Sequence, residues 1–203
     1  MIIAVTNPKG GVGKTSTSML IAAVFAHRGD DVTVIDLDRQ GTALDWAERV
    51  EERNEADGDS SSQLPFAVEL SIPRQVGKMA ARIGKKGVAI IDTPPGDPDA
   101  IEAAIAASDF VIVPTRATNA DLSRVWALQD VLDDVPHAAL LTFARKGTNA
   151  LEITRAALDG QGMPRFKAEI SLREAVHSTF GFVPSGDFHG YDDVATEILE
   201  MMK

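Results

Sequence analysis

The sequence predicts an α/β fold in which a doubly wound, mostly parallel sheet carries helices on both faces. Short apolar runs alternate along the chain with longer segments whose apolar residues recur at helical spacing. The short runs are continuously apolar instead of apolar at every second residue, which indicates strands buried on both sides. Strands and helices that alternate in this way are typical of a parallel sheet between two helical layers.

Each predicted element comes from its own pattern. The apolar runs predict strands at residues 1–5, 32–35, 88–91, 110–113 and 138–143. A further short strand is expected at 166–170, and an edge strand within 64–70. Helical spacing predicts helices at 15–28, 43–53, 98–107, 122–132, 149–158, 172–179 and 192–202. The acidic segment 51–63 lacks large apolar residues and predicts a mobile surface loop.

Composition limits the classes of function. The length of 203 residues and the 44% hydrophobic content fit one domain, which we expect over residues 1–203. The chain has no cysteine, which excludes disulfides, thiolate metal sites and iron–sulfur clusters and is compatible with a cytoplasmic location. A net charge of -10 means that any DNA contact must come from a local basic patch. No apolar stretch is long enough to predict a membrane span or a signal peptide.

The strongest motif is a glycine-rich loop, NPKGGVGKTST, at residues 7–17. It follows a predicted strand and opens a predicted helix, which is the context of a phosphate-binding loop. Its glycines let backbone N–H groups converge on phosphate oxygens, and the helix adds its positive dipole end. Lys14 is expected to reach the β- and γ-phosphates, and the Thr15 hydroxyl is expected to bind Mg²⁺. The predicted nucleotide-binding residues are Lys9, Gly10, Gly11, Val12, Gly13, Lys14, Thr15 and Ser16.

Two acidic motifs follow predicted strands. Asp36 and Asp38 occur in IDLDRQG, at the carboxyl end of a predicted strand. Doubly wound sheets bind their ligands at this end of the strands. A carboxylate there can hold a water in line with the γ-phosphorus, while Asp36 is equally suited to cap the strand end. VAIIDTPPG, at residues 88–96, has the form of a Walker B strand, and Asp92 would bind Mg²⁺ through a water.

The loop departs from the standard G-x-x-x-x-G-K-[ST] pattern and resembles that of the deviant Walker A ATPases, the ParA and MinD family of P-loop NTPases. This resemblance implies that Lys9 reaches across a homodimer to the partner's nucleotide, so that two ATP molecules are sandwiched between subunits. It implies that Asp38 positions the attacking water. The sequence departs from the family pattern at Arg39, where a proline is usual. The predicted catalytic residues are Lys9, Lys14 and Asp38. The predicted Mg²⁺ site contains Thr15, Asp38 and Asp92.

A weaker resemblance lies in VPTRATNAD, residues 113–121, which partly matches a P-x-x-P-S-x-x-D segment of small ParA proteins. From its position before a predicted helix we expect Asp121 to be the helix N-cap.

Within the family, composition favours the small ParF-like partition proteins. The absence of cysteine argues against the iron–sulfur branches, and a single tyrosine argues against the tyrosine kinases. The acidic C-terminal segment argues against a membrane-binding helix. We expect no N-terminal helix-turn-helix extension, because the chain starts directly at the first strand.

The resemblance implies an ATP-dependent partition ATPase that binds non-specific DNA as a dimer, becomes nucleoid-associated, and is stimulated by a ParB-like, centromere-binding adaptor. One candidate basic patch is a predicted helix face with Arg74, Lys78, Arg82 and Lys85. The resemblance favours a second, C-terminal group instead. Its predicted DNA-binding members are Arg145, Lys146, Arg165, Lys167 and Arg173.

Three alternatives stay open from the sequence. The same machine would serve a non-DNA cargo. A small-molecule ligase or synthetase of the same superfamily would use ATP to phosphorylate a carboxylate. A nucleotide-dependent switch would hydrolyse almost no ATP.

Overall fold

The computed structural model describes residues 1–57, 63–172 and 179–203. Its sheet has six parallel strands in the order β3-β2-β4-β1-β5-β6. The strands are β1 (Ile2–Val5), β2 (Val32–Asp36), β3 (Ala67–Leu70), β4 (Val88–Asp92), β5 (Phe110–Thr115) and β6 (His137–Leu141). The predicted fold class is confirmed, including the edge strand near residue 67.

Helices cover both faces of the sheet. The described helices are α1 (Lys14–His27), α2 (Thr42–Asp57), α3 (Pro73–Gly84), α4 (Pro98–Ala107), α5 (Asn119–Trp126), α6 (Gln129–Leu132), α7 (Asn149–Gly160) and α8 (Tyr191–Met201). One core layer joins α1, α2 and α8 to the sheet. The other core layer joins helices α3, α4, α5, α6 and α7 to the opposite face of the sheet. Apolar side chains leave β1, β2, β4, β5 and β6 on both sides, so these strands are buried in both layers, whereas the edge strand β3 is largely exposed.

The strand order determines where a ligand is expected to bind. The chain leaves β1 to build β2, β3 and β4 on one side, and then crosses to β5 and β6 on the other. In such sheets the crevice at the carboxyl end of the strand where the direction reverses holds ligands. In the sheet register, Asp92 is the partner of Val5 on one side and of Asp36 on the other. The loops after β1, β2 and β4 therefore begin at the same level, at the carboxyl end of the sheet.

The predicted loop at 51–63 is wrong for its first half, because α2 continues through Asp57. The helix is anchored by Trp46, which is buried and donates from Nε1 to the carbonyl oxygen of Phe182 at 2.8 Å. The Arg53 guanidinium carbon lies 3.7 Å from the Phe182 ring centroid. The glutamates of this stretch face solvent. Residues 58–62 of the predicted loop lie outside the described residues.

Two other predicted elements differ from the structure. Residues 166–170 form no regular strand: the isolated bridges Ala139–Arg165 and Ala144–Ser171 flank the segment, and between them it makes only scattered backbone hydrogen bonds, such as that of Ile170 N–H to the carbonyl oxygen of Leu141 at 2.9 Å. The predicted helix 122–132 is divided into α5 and α6, because Leu128 and Leu132 turn into the core. Of the predicted helix 172–179, residues 173–178 lie outside the described residues. No helix in the described part of the chain is both long and apolar enough to cross a membrane.

Candidate active site

The phosphate loop connects β1 to α1 as the sequence predicts. Gly11 and Gly13 have φ of 70° and 85°, in the left-handed region that favours glycine. Gly10 does not need this freedom: a Cβ there would meet Pro95 at an ordinary 3.6 Å. Val12 is fully buried and fixes the loop to the core. α1 begins with a glycine N-cap and no acidic residue in its first turn, so the N–H groups of its first turn are suited to an anion.

Two buried side chains support this loop from behind. Asn7 donates from Nδ2 to the carbonyl oxygen of Pro114 at 2.8 Å, and its Oδ1 accepts from the backbone N–H of Lys9 at 2.8 Å. Thr142 donates to the carbonyl oxygen of Val12 at 2.9 Å. The loop is therefore tied to the ends of β5 and β6. Sequence reasoning missed both residues; the signal was a polar side chain at the end of an apolar run.

Lys14 lies at the centre of the loop. Its Nζ donates to the carbonyl oxygen of Lys9 at 2.9 Å. Burial lowers the pKa of Lys14, while the nearby carboxylates of Asp92 and Asp38 act in the opposite direction. A buried ammonium group beside two carboxylates and a curled backbone is the arrangement expected for contact with phosphate. Ser16, another predicted binding residue, is half-buried in the first turn of α1.

Thr15, Ser18 and Asp92 form a buried polar cluster under the loop. The Asp92 carboxylate accepts from Thr15 Oγ1 at 2.7 Å and from Ser18 Oγ at 2.9 Å. Burial raises the pKa of Asp92 to about 7, with a further contribution from the charge of Asp36, while the two hydroxyls lower it. The structure thus brings together the Thr15 and Asp92 oxygens that the sequence assigns to one Mg²⁺ site. Ser18 was not predicted.

The two aspartates after β2 have different surroundings. Asp36 is fully buried and accepts from the backbone N–H groups of Asp38 at 2.8 Å and Ala43 at 3.0 Å. Burial raises the pKa of Asp36, and these hydrogen bonds lower it. Asp36 therefore holds the loop and the start of α2. Asp38 is half-buried, accepts from the N–H of Gln40 at 2.9 Å, and its charge acts on Lys14.

Asp121 is not the N-cap of α5, contrary to the sequence prediction. Thr118 is the cap, and its hydroxyl accepts from the Asp121 N–H at 3.2 Å. The Asp121 carboxylate instead points to the phosphate loop and is buried. It accepts from Arg116 Nε at 2.9 Å, and Lys9 Nζ lies 3.9 Å from its other oxygen. Lys9 is thus paired within its own subunit.

The oxygen donors present suit Mg²⁺. Thr15 and Asp92 provide a hydroxyl and a carboxylate oxygen 2.7 Å apart, and Mg²⁺ prefers hard oxygen ligands. Among the described residues no group of three or more His, Asp or Glu side chains is placed to hold a metal ion.

Three of the predicted DNA-binding residues, Lys146, Arg165 and Lys167, line one surface cavity together with Arg155. Arg145, Lys146 and Lys167 are exposed. Arg165 forms an ion pair with Asp159 at 2.8 Å. Arg173 lies outside the described residues. Nothing in this arrangement tests their role in DNA binding, which stays a prediction.

The fold and this site define the class: an α/β nucleotide-binding protein with a phosphate loop between its central strand and a helix. Residues 3–183 match the CobQ/CobB/MinD/ParA nucleotide binding domain, and the chain belongs to this family. It is a nucleotide-binding ATPase of the ParA and MinD type.

Known proteins of this type resemble most of the chain. The maintenance of carboxysome distribution protein A of Gloeobacter kilaueensis is 33% identical over 180 residues, 86% of this chain and 78% of that protein. The structure of a plasmid partition protein from Borrelia burgdorferi bound to AMPPNP has a TM-score of 0.74 at 15% identity, covering 98% of each chain. Pyrococcus horikoshii MinD complexed with Mg-ADP has a TM-score of 0.73 at 16% identity, covering 97% of this chain and 95% of that one.

Proposed function

We propose that this protein is a Mg²⁺-dependent ATPase with slow intrinsic turnover that drives the partition or positioning of a cargo. The observation that carries the proposal is the cluster under the phosphate loop, where Lys14, Asp38 and the Thr15–Asp92 pair surround the expected phosphate position. The nucleotides bound to the two similar structures, AMPPNP and Mg-ADP, support the choice of ATP and Mg²⁺.

Each side chain then has a defined part in hydrolysis. The N–H groups of the loop and Lys14 bind and neutralise the phosphate oxygens. The Asp38 carboxylate orients the attacking water, and Asp36 holds the Asp38 backbone in place. Thr15 and Asp92 would hold Mg²⁺, which would offset the negative charge of the phosphates. No arginine takes part in this cluster by the described contacts, which is the reason we propose slow turnover.

ATP is proposed to assemble a homodimer in which Lys9 contacts the partner's nucleotide. In this state the protein binds DNA without sequence preference and associates with the nucleoid. Dimerisation places two weak basic patches on one DNA molecule and thereby couples affinity to ATP. A ParB-like, centromere-binding adaptor stimulates hydrolysis and so releases the DNA. No membrane contact is part of this proposal.

A second candidate is the positioning of a non-DNA cargo by the same ATP cycle. It is favoured by the relative whose name concerns carboxysome distribution, which is 33% identical over most of this chain. Such a cargo would be a large protein assembly, and the adaptor would be bound to that assembly in place of a centromere.

A mobility-shift assay with long, random-sequence duplex tests the shared part of both candidates. We expect binding with ATP or a slowly hydrolysed analogue, no binding with ADP, and loss of binding as salt rises. Absence of any ATP-dependent, salt-sensitive binding contradicts the proposal. ATPase stimulation then separates the candidates: a centromere-bound adaptor stimulates turnover in a partition protein, and a cargo-bound adaptor does so in a positioning protein.

A further inference from the structure

The outer face of α3 carries a row of cations. Arg74, Lys78 and Arg82 lie on this helix, and Lys85 directly follows it. All four are exposed, and the described contacts include no ion pair or hydrogen bond of their side chains. The helix has no acidic residue. We name these four residues the α3 row.

Helix geometry makes the row continuous. Steps of four, four and three residues keep successive side chains on one face. With a rise of 1.5 Å per residue, the row extends over about 16 Å. The opposite face, with Val76 and Ala80, is buried against the sheet and fixes the orientation of the helix. A rigid line of positive charge of this length is suited to several successive phosphates.

Two arginines of the C-terminal third, Arg155 and Arg165, differ in this respect, whereas Arg145, Lys146 and Lys167 are exposed without a described ion pair, as are the members of the α3 row. Arg155 donates to both carboxylate oxygens of Glu169, each at 2.7 Å, and Arg165 is paired with Asp159. These guanidinium groups must leave a carboxylate before they can bind a phosphate. The α3 row has no such cost, because its charges are paired with solvent ions that a polyanion displaces.

The apolar residues within α3 favour nucleic acid over a lipid surface. Membrane-surface helices insert large apolar side chains beside their cations. Within α3, Met79 and Ile83 are half-buried and pack against the core, so they are not available for insertion.

We infer that the α3 row contacts the phosphate backbone of duplex DNA. This assignment rests on the proposed DNA binding and names the surface that carries it, which is different from the group favoured by the sequence. Contacts to phosphates alone give affinity without sequence preference. They also make binding strongly dependent on salt. The logarithm of the association constant falls by about 0.9 per tenfold rise in salt for each phosphate contact.

The test measures fluorescence anisotropy of a labelled random-sequence duplex with the ATP-bound full chain, over a series of salt concentrations. The test variant is Lys78→Glu with Arg82→Glu. The control, Arg124→Glu with Lys203→Glu, makes the same change of net charge at exposed positions elsewhere. A third variant, Lys146→Glu with Lys167→Glu, tests the C-terminal group in the same assay. Circular dichroism and thermal melting establish that each variant is folded.

We expect the α3 variant to bind DNA at least about tenfold more weakly than the control. The fall of its log affinity with log salt concentration should be shallower by about 2 per subunit. If the wild type binds DNA and the α3 variant matches the control, the α3 assignment is wrong while the proposed function stands. If the wild type does not bind DNA, the proposed function fails and the assignment with it. Binding of the wild type to phosphatidylglycerol vesicles that only the α3 variant loses, with unchanged DNA binding, assigns the row to lipid and overturns the inference.

Discussion

Lys9 and Asp121 face each other beside the phosphate loop, with Lys9 Nζ 3.9 Å from Asp121 Oδ1. The carboxylate is only 1% exposed, whereas the lysine is 37% exposed. Arg116 occupies the other oxygen of the same carboxylate. The lysine proposed to act across a dimer is thus held by an acid of its own subunit, and the remaining arginine can neutralise this acid when the lysine leaves.

Replacing Asp121 by Asn removes the charge that holds Lys9. We expect the ATP-dependent dimer to form up to about fivefold more readily, since a partly exposed ion pair contributes at most about 1 kcal/mol. Analytical ultracentrifugation with a slowly hydrolysed analogue measures the dissociation constant. A dimer of unchanged or lower affinity in the folded variant contradicts a restraining role for Asp121.

The two lysines of the loop are expected to differ in what they bind. Replacing Lys14 by Ala should weaken nucleotide binding by the monomer by roughly two orders of magnitude, because a charged hydrogen bond to phosphate is lost. Lys9→Ala is the matched control: it should retain nucleotide binding and lose the dimer. Isothermal titration calorimetry with ATP measures the first quantity and ultracentrifugation the second. Equal affinity for ATP in wild type and Lys14→Ala would refute the assignment.

Asp38→Ala should bind ATP and fail to hydrolyse it, because the attacking water is no longer oriented while the phosphate contacts remain. Single-turnover measurement of phosphate release, together with nucleotide binding, checks both halves of this expectation. Normal turnover in this variant excludes the assigned role.

The raised pKa of Asp92 predicts a pH-dependent stability. In the unfolded chain this carboxyl has a pKa near 4, while in the folded protein burial raises it to about 7. Between these values the folded state retains a proton that the unfolded state has lost. The contribution of Asp92 to stability is therefore lost as pH rises from about 4 to about 7.

The Asp92→Asn variant removes this effect. Without nucleotide or Mg²⁺ at pH 8, we expect its free energy of unfolding to exceed that of the wild type by about a few kcal/mol. It should therefore unfold at a higher temperature. At low pH, where Asp92 is protonated, the difference should shrink toward zero. Thermal unfolding followed by circular dichroism at several pH values provides the measurement. A difference that does not change with pH contradicts the explanation by charge burial.

Asn7→Ala tests the support of the loop. The substitution leaves the Pro114 carbonyl oxygen and the Lys9 N–H without their partner in a buried place, and should cost about 1 to 3 kcal/mol. Ser123→Ala is a suitable control, because it removes one exposed hydrogen bond and should change stability by less than about 0.5 kcal/mol. Urea unfolding gives both values. Equal stability of the two variants would exclude a supporting role for Asn7.

The sequence predicts the parts of the site that are encoded locally. The phosphate loop, the residues after β2 and the end of β4 were each recognisable from a strand followed by a specific polar motif, and the structure brings them together. Asp121 was misinterpreted because its partner Lys9 lies far from it in the sequence. From the local sequence, Asp121 and Thr118 are both acceptable caps. In the structure the Thr118 hydroxyl accepts from the Asp121 N–H, and the Asp121 carboxylate pairs with Lys9 instead.

The length of α2 was mispredicted for a similar reason. Its second half has the polar composition of a loop, and within that half Arg53 packs on the ring of the distant Phe182. Asn7 was overlooked because its acceptor, the Pro114 carbonyl oxygen, belongs to another strand. These errors share one origin: each residue is positioned by a contact that no local pattern encodes.

The register of Asp36 beside Asp92 limits how this protein can vary. A residue inserted into β2 or β4 alone would displace one carboxylate by about 3.3 Å along the strand and turn its side chain to the opposite face of the sheet. Insertions are tolerated only in the connections, well away from these strand ends. Chimeras with relatives should therefore exchange β2 and β4 as a pair, together with the ends of their loops.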